Sequence, residues 1–344
     1  MTTTLITGGA GFVGTNLADH LLHQGRRVRI IDDLSRPGVE RNLAWLEAAH
    51  GPALEVMVAD VRDPAAVRQA LRGVSGVFHF AAQVAVTTSL DEPLDDAGVN
   101  LTGTLHLLEE VRRLTRPVPV IFTSTNKVYG SLPDVELTET DRRYEPVDPE
   151  VRSGIAETRP LSFCTPYGCS KGAADQYVLD WARSFRVPSV VFRMSCIYGP
   201  HQQGNEDQGW VAHFVLSAVE AEPITLFGDG KQVRDVLYAE DLVRALIIAE
   251  DRASEFAGRA FNIGGGPSNA VSLLDVISLL ADVHGQAPKI RHRPWRPGDQ
   301  RYYVSDTSAF SGATGWRPEV EVADGVERLH TWLVGDRQAA QAAA

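Results

Sequence analysis

The 344-residue sequence predicts an α/β fold built on a doubly wound parallel sheet, joined to a smaller, discontinuous second domain. Three observations carry this expectation. Short β-rich runs alternate with helical patterns through residues 3–80, a glycine-rich turn links the first strand to the first helix, and an acidic residue and a hydroxyl cluster stand where later strands end. Strand and helix in turn are the pattern of a parallel sheet covered on both faces. The length exceeds the usual size of one domain, and 44% hydrophobic with 22% charged residues is ordinary globular usage, so two packed domains follow.

The first strand is Thr4-Leu5-Ile6, followed by a helix over Asn16 to Gln24 that Gly25 closes, as a residue able to take positive φ. Val28 to Ile31, Leu54 to Ala59, a helix over Ala65 to Leu71, and Val77 to Phe80 come next. Between the first strand and helix lies Thr7-Gly8-Gly9-Ala10-Gly11-Phe12-Val13-Gly14. Gly8, Gly11 and Gly14 read as a tight turn, a close backbone approach to pyrophosphate, and close helix–strand packing, with the anion on the helix N-terminus. Asp32 ends the second strand 18 residues after Gly14, near the ~20 expected of an acid that binds a ribose hydroxyl. The combination is that of a Rossmann dinucleotide site. A carboxylate accepts from a 2′-hydroxyl and repels a 2′-phosphate, so NAD is favoured over NADP, although Arg36 stands near enough to cover a phosphate.

The candidate cofactor residues are Gly8, Gly11, Phe12, Val13, Gly14, Asp32, Asp33, Asp60, Val61, Ala81, Ala82, Gln83 and Asn100, joined by Tyr167 and Lys171. Asp60 fits an adenine contact and, equally, an acid capping the next helix. The small residues after Phe80 let backbone approach a flat ligand.

Val118 to Phe122 forms the fifth strand and runs into Thr123-Ser124-Thr125-Asn126-Lys127. Ligands of open parallel sheets sit at the carboxyl ends of strands, which makes Thr125 a candidate partner of a substrate oxygen. Residues Leu132 to Thr165 are polar and proline-punctuated, an excursion long enough to serve as a lid. They lead into a helix carrying Tyr167 and Lys171, one turn apart on one face. A phenol with an ordinary pKa near ~10 is a poor base at neutral pH, and a nearby ammonium favours the phenolate. After Ser189 to Phe192 the sheet domain hands over. Residues 1–192 and 236–264 are read as the NAD-binding domain, 193–235 and 265–336 as the second domain, and 337–344 as an Ala/Gln-rich tail expected to fray.

A formal net charge of −11 with no Lys/Arg cluster argues against nucleic acid as a partner. No long apolar stretch and no leader pattern precede the first strand, which predicts a cytoplasmic protein without a membrane partner. Cys164, Cys169 and Cys196 lack metal-ligand spacing and fit a reducing compartment, and no HxxxH pair occurs among the ten histidines, so no metal is expected.

Gly8/Gly11/Gly14, Asp32, Thr125 and Tyr167/Lys171, in this order, closely resemble the extended short-chain dehydrogenase/reductase family, specifically its NAD-dependent nucleotide-sugar epimerases and dehydratases. The likeness runs to about residue 333. It implies that Tyr167 is the base and acid, that Lys171 tunes it and binds the nicotinamide ribose, and that Thr125 holds the reacting hydroxyl. It also implies a nucleotide-diphosphate site in Gly228 to Asp235 and Arg296 to Asp299, with Arg234 and Arg296 clamping the diphosphate as guanidinium forks do. Asn126, Lys127, Ser195, Gln232 and Asp299 complete the candidate substrate set. A homodimer through the Tyr167 helix and the helix from Leu101 to Arg113 is part of the same resemblance.

Dehydratases of the family carry an acidic pair directly after the threonine, where water must be eliminated; here Asn126-Lys127 follows, and an amide cannot move protons that way. The common 4-epimerases show an aromatic–asparagine pair where this chain has Ser195-Cys196 within Arg193 to Gly199. Ser124 to Gly130, Pro166 to Tyr177, Asp207 to Val211, Gly230 to Val236 and Asp299-Gln300-Arg301 instead resemble the CDP-paratose 2-epimerase group, also called CDP-tyvelose epimerases. The resemblance implies inversion at carbon 2 of a CDP-hexose through a transient keto sugar. A UDP-sugar 4-epimerase of UDP-glucose or UDP-glucuronate type, or an NAD-dependent sugar-nucleotide dehydrogenase, is the alternative.

Overall fold

Strands β1 (Thr3–Thr7), β2 (Arg27–Asp32), β3 (Leu54–Val58), β4 (Val74–His79) and β5 (Val120–Thr125) form the central sheet with Ser189–Met194 and Arg259–Ile263. Their order is Arg259–Ile263, Ser189–Met194, β5, β4, β1, β2, β3, and every pairing from β3 to Ser189–Met194 is parallel. These strands read as near-continuous apolar runs because helices cover both faces. Leu5, Ile6, Ile30, Ile31, Phe78, Ile121 and Phe122 are fully buried; truncating such a phenylalanine to alanine typically costs about 3–5 kcal/mol. The strand order reverses between β1 and β4. That switch point is where the loops diverge and leave a crevice at the carboxyl ends.

The structure is a computed structural model describing residues 3–296 and 298–343. Within it, the first compact unit takes the described residues up to Val128, Leu161–Met194 and Val243–Phe261. Its helices begin with α1 (Phe12–His23), α2 (Val39–His50), α3 (Pro64–Ala70), α4 (Val86–Asp91), α5 (Pro93–Ala97) and α6 (Thr104–Arg112). Helix α1 starts at Phe12, four residues before the expected Asn16, because glycine inside the loop hides a helical start. Gly25 follows it at φ +76°, as expected. Helix α2 was not legible. Only Val39, Asn42, Leu43 and Leu46 of it are buried, and Glu40, Arg41 and Glu47 dilute the apolar stripe. Gly98–Gly103, ahead of α6, forms a π-helical turn, a rare form that recurs at functional sites.

The second unit takes Tyr129–Pro160, Ser195–Leu242 and the described residues from Asn262 onward. Val233–Tyr238 is its central strand, pairing antiparallel with Ala270–Ser272 and parallel with Tyr302–Tyr303 and Cys196–Tyr198. Ile224–Phe227 pairs with Ile290–Arg293, and Leu137–Glu139 with Tyr144–Pro146. Val236, Leu280, Val326 and Leu329 are fully buried in its core.

Two expectations about domains need correcting. Tyr129–Pro160 groups with the second unit because Tyr144 N donates to Lys231 O (3.0 Å) and Ile155 N to Val304 O (2.7 Å). The strand expected to return to the first unit at residue 236 stays in the second through Tyr238, held by Cys196–Tyr198. The expected frayed tail continues as helix Val322–Ala343, which buries Val326, Leu329 and Leu333 and pairs Arg337 with Glu220; residue 344 lies outside the described residues. Among the described residues no helix is long and apolar enough to cross a membrane.

Candidate active site

Gly8 stands at φ +66°, a conformation that favours glycine, and a Cβ there would come 2.8 Å from Ala81 N. A Cβ on Gly14 would strike Gly8 O, so the third glycine is what lets α1 close on β1. Gly11 caps α1 without a side-chain bond, which leaves the first-turn amides and the positive helix end for an anion. Phe12 and Val13 form the first turn of α1. Asp32 Oδ2 accepts from Ala10 N and Oδ1 from Leu34 N, both at 3.0 Å, so the carboxylate is anchored beside the loop with further lone pairs on each oxygen. Burial raises its pKa against those bonds. This arrangement fits NAD: a cradle closed to any Cβ for the pyrophosphate, and a fixed acceptor for a ribose.

The other cofactor candidates separate. Asp33 turns to Ser35, accepting from its N at 3.0 Å and its Oγ at 2.7 Å. Asp60 accepts from Arg62 N (2.7 Å) and Nε (2.8 Å), and that guanidinium lowers its pKa. The cap of α3 is Asp63, whose Oδ1 accepts from Ala65 N, so capping is not the role of Asp60. Val61 is buried under Gly103. Ala81 N donates to Thr7 Oγ1 (3.1 Å), Ala82 follows in the same loop after β4, and Gln83 O accepts from Asn100 Nδ2 (3.0 Å).

The catalytic candidates lie on β5 and the helix Thr165–Phe185. Pro166 takes an early helix position, where its missing N–H costs nothing. Tyr167, Lys171, Thr125 and Asn126 are all buried. The Thr125 hydroxyl hydrogen-bonds the Tyr167 phenol, which favours the phenolate, and Lys127 N donates to Thr125 Oγ1 at 3.2 Å. Lys171 Nζ donates to Thr123 O at 2.7 Å and lies 4.3 Å from the Phe122 ring centroid. Burial dominates both groups of the pair. Burial pushes Tyr167 up to about 12, outweighing the Thr125 bond, and pushes Lys171 down to about 7 against the pull of Asp175 and Asp96. Desolvation of the charged form is the largest cause at both groups.

Behind the pair runs a polar network that sequence reasoning missed. Thr7 Oγ1 accepts from Phe80 N and Ala81 N, so its own proton goes to His79 Nδ1, 2.7 Å away. His79 Nε2 then donates to Thr104 Oγ1 (2.9 Å), which donates to Asn100 O (2.6 Å). Burial pushes this histidine down to about 3, keeping it neutral. Asn100 Nδ2 lies 3.1 Å from both Asp96 Oδ1 and Ser170 Oγ, and Ser170 Oγ donates to Asp96 Oδ2 at 2.5 Å. Tyr167 N donates to Ser89 Oγ at 3.2 Å. The helix is further tied to its neighbouring strand by the buried Asp175–Arg193 pair (2.9 Å); removing one partner of such a pair typically costs about 3–5 kcal/mol. The one available signal was the spacing of Asp96 and Asn100, one turn apart.

In the second unit the candidate substrate residues are already engaged. Arg234 donates to Asp299 Oδ1 (2.7 Å), Val233 O (2.7 Å) and Gln300 O (2.5 Å). Arg296 pairs with Asp207 (3.2 Å) and stacks 3.7 Å from the Phe227 ring centroid. Gln232 Nε2 donates to Phe227 O (2.8 Å), while its Oε1 is buried without a partner. The Ser195 hydroxyl is turned onto Asp235, donating to its carboxylate or to its O at 2.9 Å.

The description of the NAD dependent epimerase/dehydratase family matches residues 4–264. The chain is 44% identical to a CDP-paratose 2-epimerase of Salmonella typhi over 95% of its length and 98% of that protein's. It is 30% identical to a putative UDP-glucose 4-epimerase of Methanocaldococcus jannaschii, covering 96% of this chain and 97% of that one. Among solved structures, UDP-glucuronic acid 4-epimerase from Bacillus cereus, in complex with UDP-glucuronic acid and NAD, is similar at a TM-score of 0.83 and 26% identity, over 98% of this chain and all of that one. The glycine cradle, the anchored Asp32 and these likenesses agree: the chain belongs to the NAD dependent epimerase/dehydratase family, and NAD is its cofactor.

Proposed function

We propose that the protein inverts carbon 2 of a CDP-hexose of the CDP-paratose/CDP-tyvelose type. The observation that carries this reading is 44% identity across nearly the whole chain to a carbon-2 epimerase, against 30% to the carbon-4 relative. The site chemistry agrees with it. Asn126 follows Thr125 where a dehydration would require an acid, which leaves a reaction of one hydroxyl proton and one hydride.

Tyr167 takes the proton of the carbon-2 hydroxyl while Thr125 turns its own proton from the phenol to that oxygen and holds it. When bound, NAD supplies the acceptor and returning donor of the hydride, and in its oxidised form a positive charge of the sign that lowers a phenol pKa. Lys171, anchored on Thr123 O, holds the nicotinamide ribose. The 2-keto sugar turns over, Tyr167 returns the proton, and configuration inverts with no net redox change. Gly8, Gly11, Gly14 and Asp32 hold the cofactor. Arg234 and Arg296 hold the diphosphate by exchanging Asp299 and Asp207 for phosphate oxygens, and Gln232, Lys127 and Ser195 complete the contacts.

Proton NMR of the NAD-loaded protein with CDP-paratose, CDP-glucose, UDP-glucose and UDP-glucuronate tests this. Inversion at carbon 2 of a CDP-sugar is expected; inversion at carbon 4 of a UDP-sugar would replace the reading with the 4-epimerase that the UDP-glucuronic acid 4-epimerase structure favours. Stoichiometric NADH release would mark a dehydrogenase instead.

A homodimer in the cytoplasm completes the proposal. Tyr177, Trp181 and Phe185 meet edge to face along the Tyr167 helix, with ring centroids 5.7 and 4.9 Å apart and Tyr177 and Phe185 exposed, and such an apolar stripe suits a second copy. Light scattering giving a monomer would remove this part alone.

A further inference from the structure

The ends of α1 and α2 carry a cluster that epimerisation does not use. Asp19 and His23 are one turn apart on α1, whose Leu17, Ala18, Leu21 and Leu22 are buried, and His50 is the last residue of α2. Asp19 Oδ1 lies 2.8 Å from His50 Nε2 and 3.1 Å from His23 Nδ1. All three ligand atoms fall within 4.8 Å of one another, and the two imidazoles meet edge to face with centroids 4.8 Å apart. The His50 side chain is 8% exposed and that of His23 70%, so one arm is packed in place and the other can turn. Trp45 stands edge-on to His50 at 6.5 Å.

One carboxylate oxygen therefore faces two imidazole nitrogens. As hydrogen bonds alone, the His50 Nε2 proton goes to Asp19 Oδ1, while His23 Nδ1 is shared between that carboxylate and the Asp19 backbone O, 3.0 Å away. A cation replaces those protons and takes a lone pair from each of the three groups. Around a tetrahedral ion with bonds of ~2.0–2.1 Å, neighbouring ligand atoms sit ~3.3 Å apart, close to the two separations observed. Two imidazoles and one carboxylate suit borderline transition metals, whereas Ca²⁺ and Mg²⁺ require mostly oxygen ligands.

We propose that Asp19, His23 and His50 form a binding site for a Zn²⁺-class transition metal, with water in the fourth position. The ion clamps the C-terminal half of α1, the helix that begins at the glycine loop, to the end of α2. It touches none of the candidate catalytic or substrate residues, so its test is independent of which sugar is turned over.

The experiment is isothermal titration of zinc sulfate into the full-length, NAD-loaded protein, with magnesium chloride as control and His23→Ala, His50→Gln and Asp19→Asn as variants. One Zn²⁺ per chain is expected to bind at micromolar concentration, at least about tenfold more weakly in each variant, as for loss of one of three ligands. Magnesium is expected to give no heat. Zinc should raise the melting temperature of the parent protein and leave that of His23→Ala unmoved, with epimerisation by that variant unchanged. No saturable zinc binding, or equal binding by the parent and His23→Ala, would overturn the site. The exposed position of His23 lets that variant decide the matter if His50→Gln fails to fold.

Discussion

The two units prepare their polar groups in opposite ways. In the first, Lys171, Tyr167, Asp32 and Asn100 are held by backbone atoms and by a buried hydroxyl–imidazole–amide network, and among the described residues no salt bridge holds Lys171. In the second, Arg234 and Arg296 are each paired with a carboxylate. Tyr167 and Lys171 have no directly paired counter-ion among the described residues, and desolvation outweighs the pull of Asp175 and Asp96 on the lysine. The arginines proposed to take the diphosphate are held on Asp299 and Asp207, which orders them at the cost of a partner exchange on binding.

The sharpest break of this contrast is Tyr167→Phe. It should lower turnover by about 10²–10⁴-fold, the usual worth of a general acid–base, while NAD remains bound in the isolated protein; undiminished epimerisation would remove Tyr167 from the role of base. On the other side, Arg234→Gln should raise KM about tenfold to a hundredfold, as for loss of a charge-assisted bond. Asp299→Asn should raise KM far less or lower it, and if both variants raise KM equally in steady-state assays, Asp299 is a ligand of the substrate and not a stored partner.

Acid tests the buried network. His79 has its folded pKa near 3, below the usual 6.5, so the folded chain resists a proton that the unfolded chain accepts. Its contribution is complete above about pH 6.5 and is lost as pH falls toward 3, at up to about 1.4 kcal/mol per pH unit. Melting curves from pH 7 to 4 should show that slope, and His79→Asn should flatten it. The smallest effect concerns the cofactor acids. Asp32→Ala should weaken NAD at least about tenfold, and Asp60→Ala less than about threefold, because Asp60 is engaged by Arg62. Equal losses by titration would return Asp60 to the adenine site.

Much of the first unit was legible because its signals are local. The glycine spacing, the strand-ending Asp32 and the one-turn step from Tyr167 to Lys171 each need only a few neighbouring residues to be read. Helix α2 escaped because a solvated helix with one narrow buried stripe carries little periodicity. His79, Asp96 and Ser170 escaped because each gains its meaning from partners 25 to 74 residues away. The continuation of the last helix to Ala343 was hidden by an Ala/Gln composition that reads as tail until Leu333 is seen to be buried.

By itself the sequence determined the α/β class, the NAD cofactor and the family to which the chain belongs, and it offered the glycine loop and the Tyr167/Lys171 pair as candidates. Those are properties of spacing along one backbone. Only the tertiary structure decided which groups carry charge and to whom they are bonded: a phenol pushed up to about 12, a lysine pushed down to about 7, arginines held on carboxylates, and His50 brought to Asp19. The reason is that desolvation and ion pairing depend on what is packed alongside, and the chain order does not specify that neighbourhood.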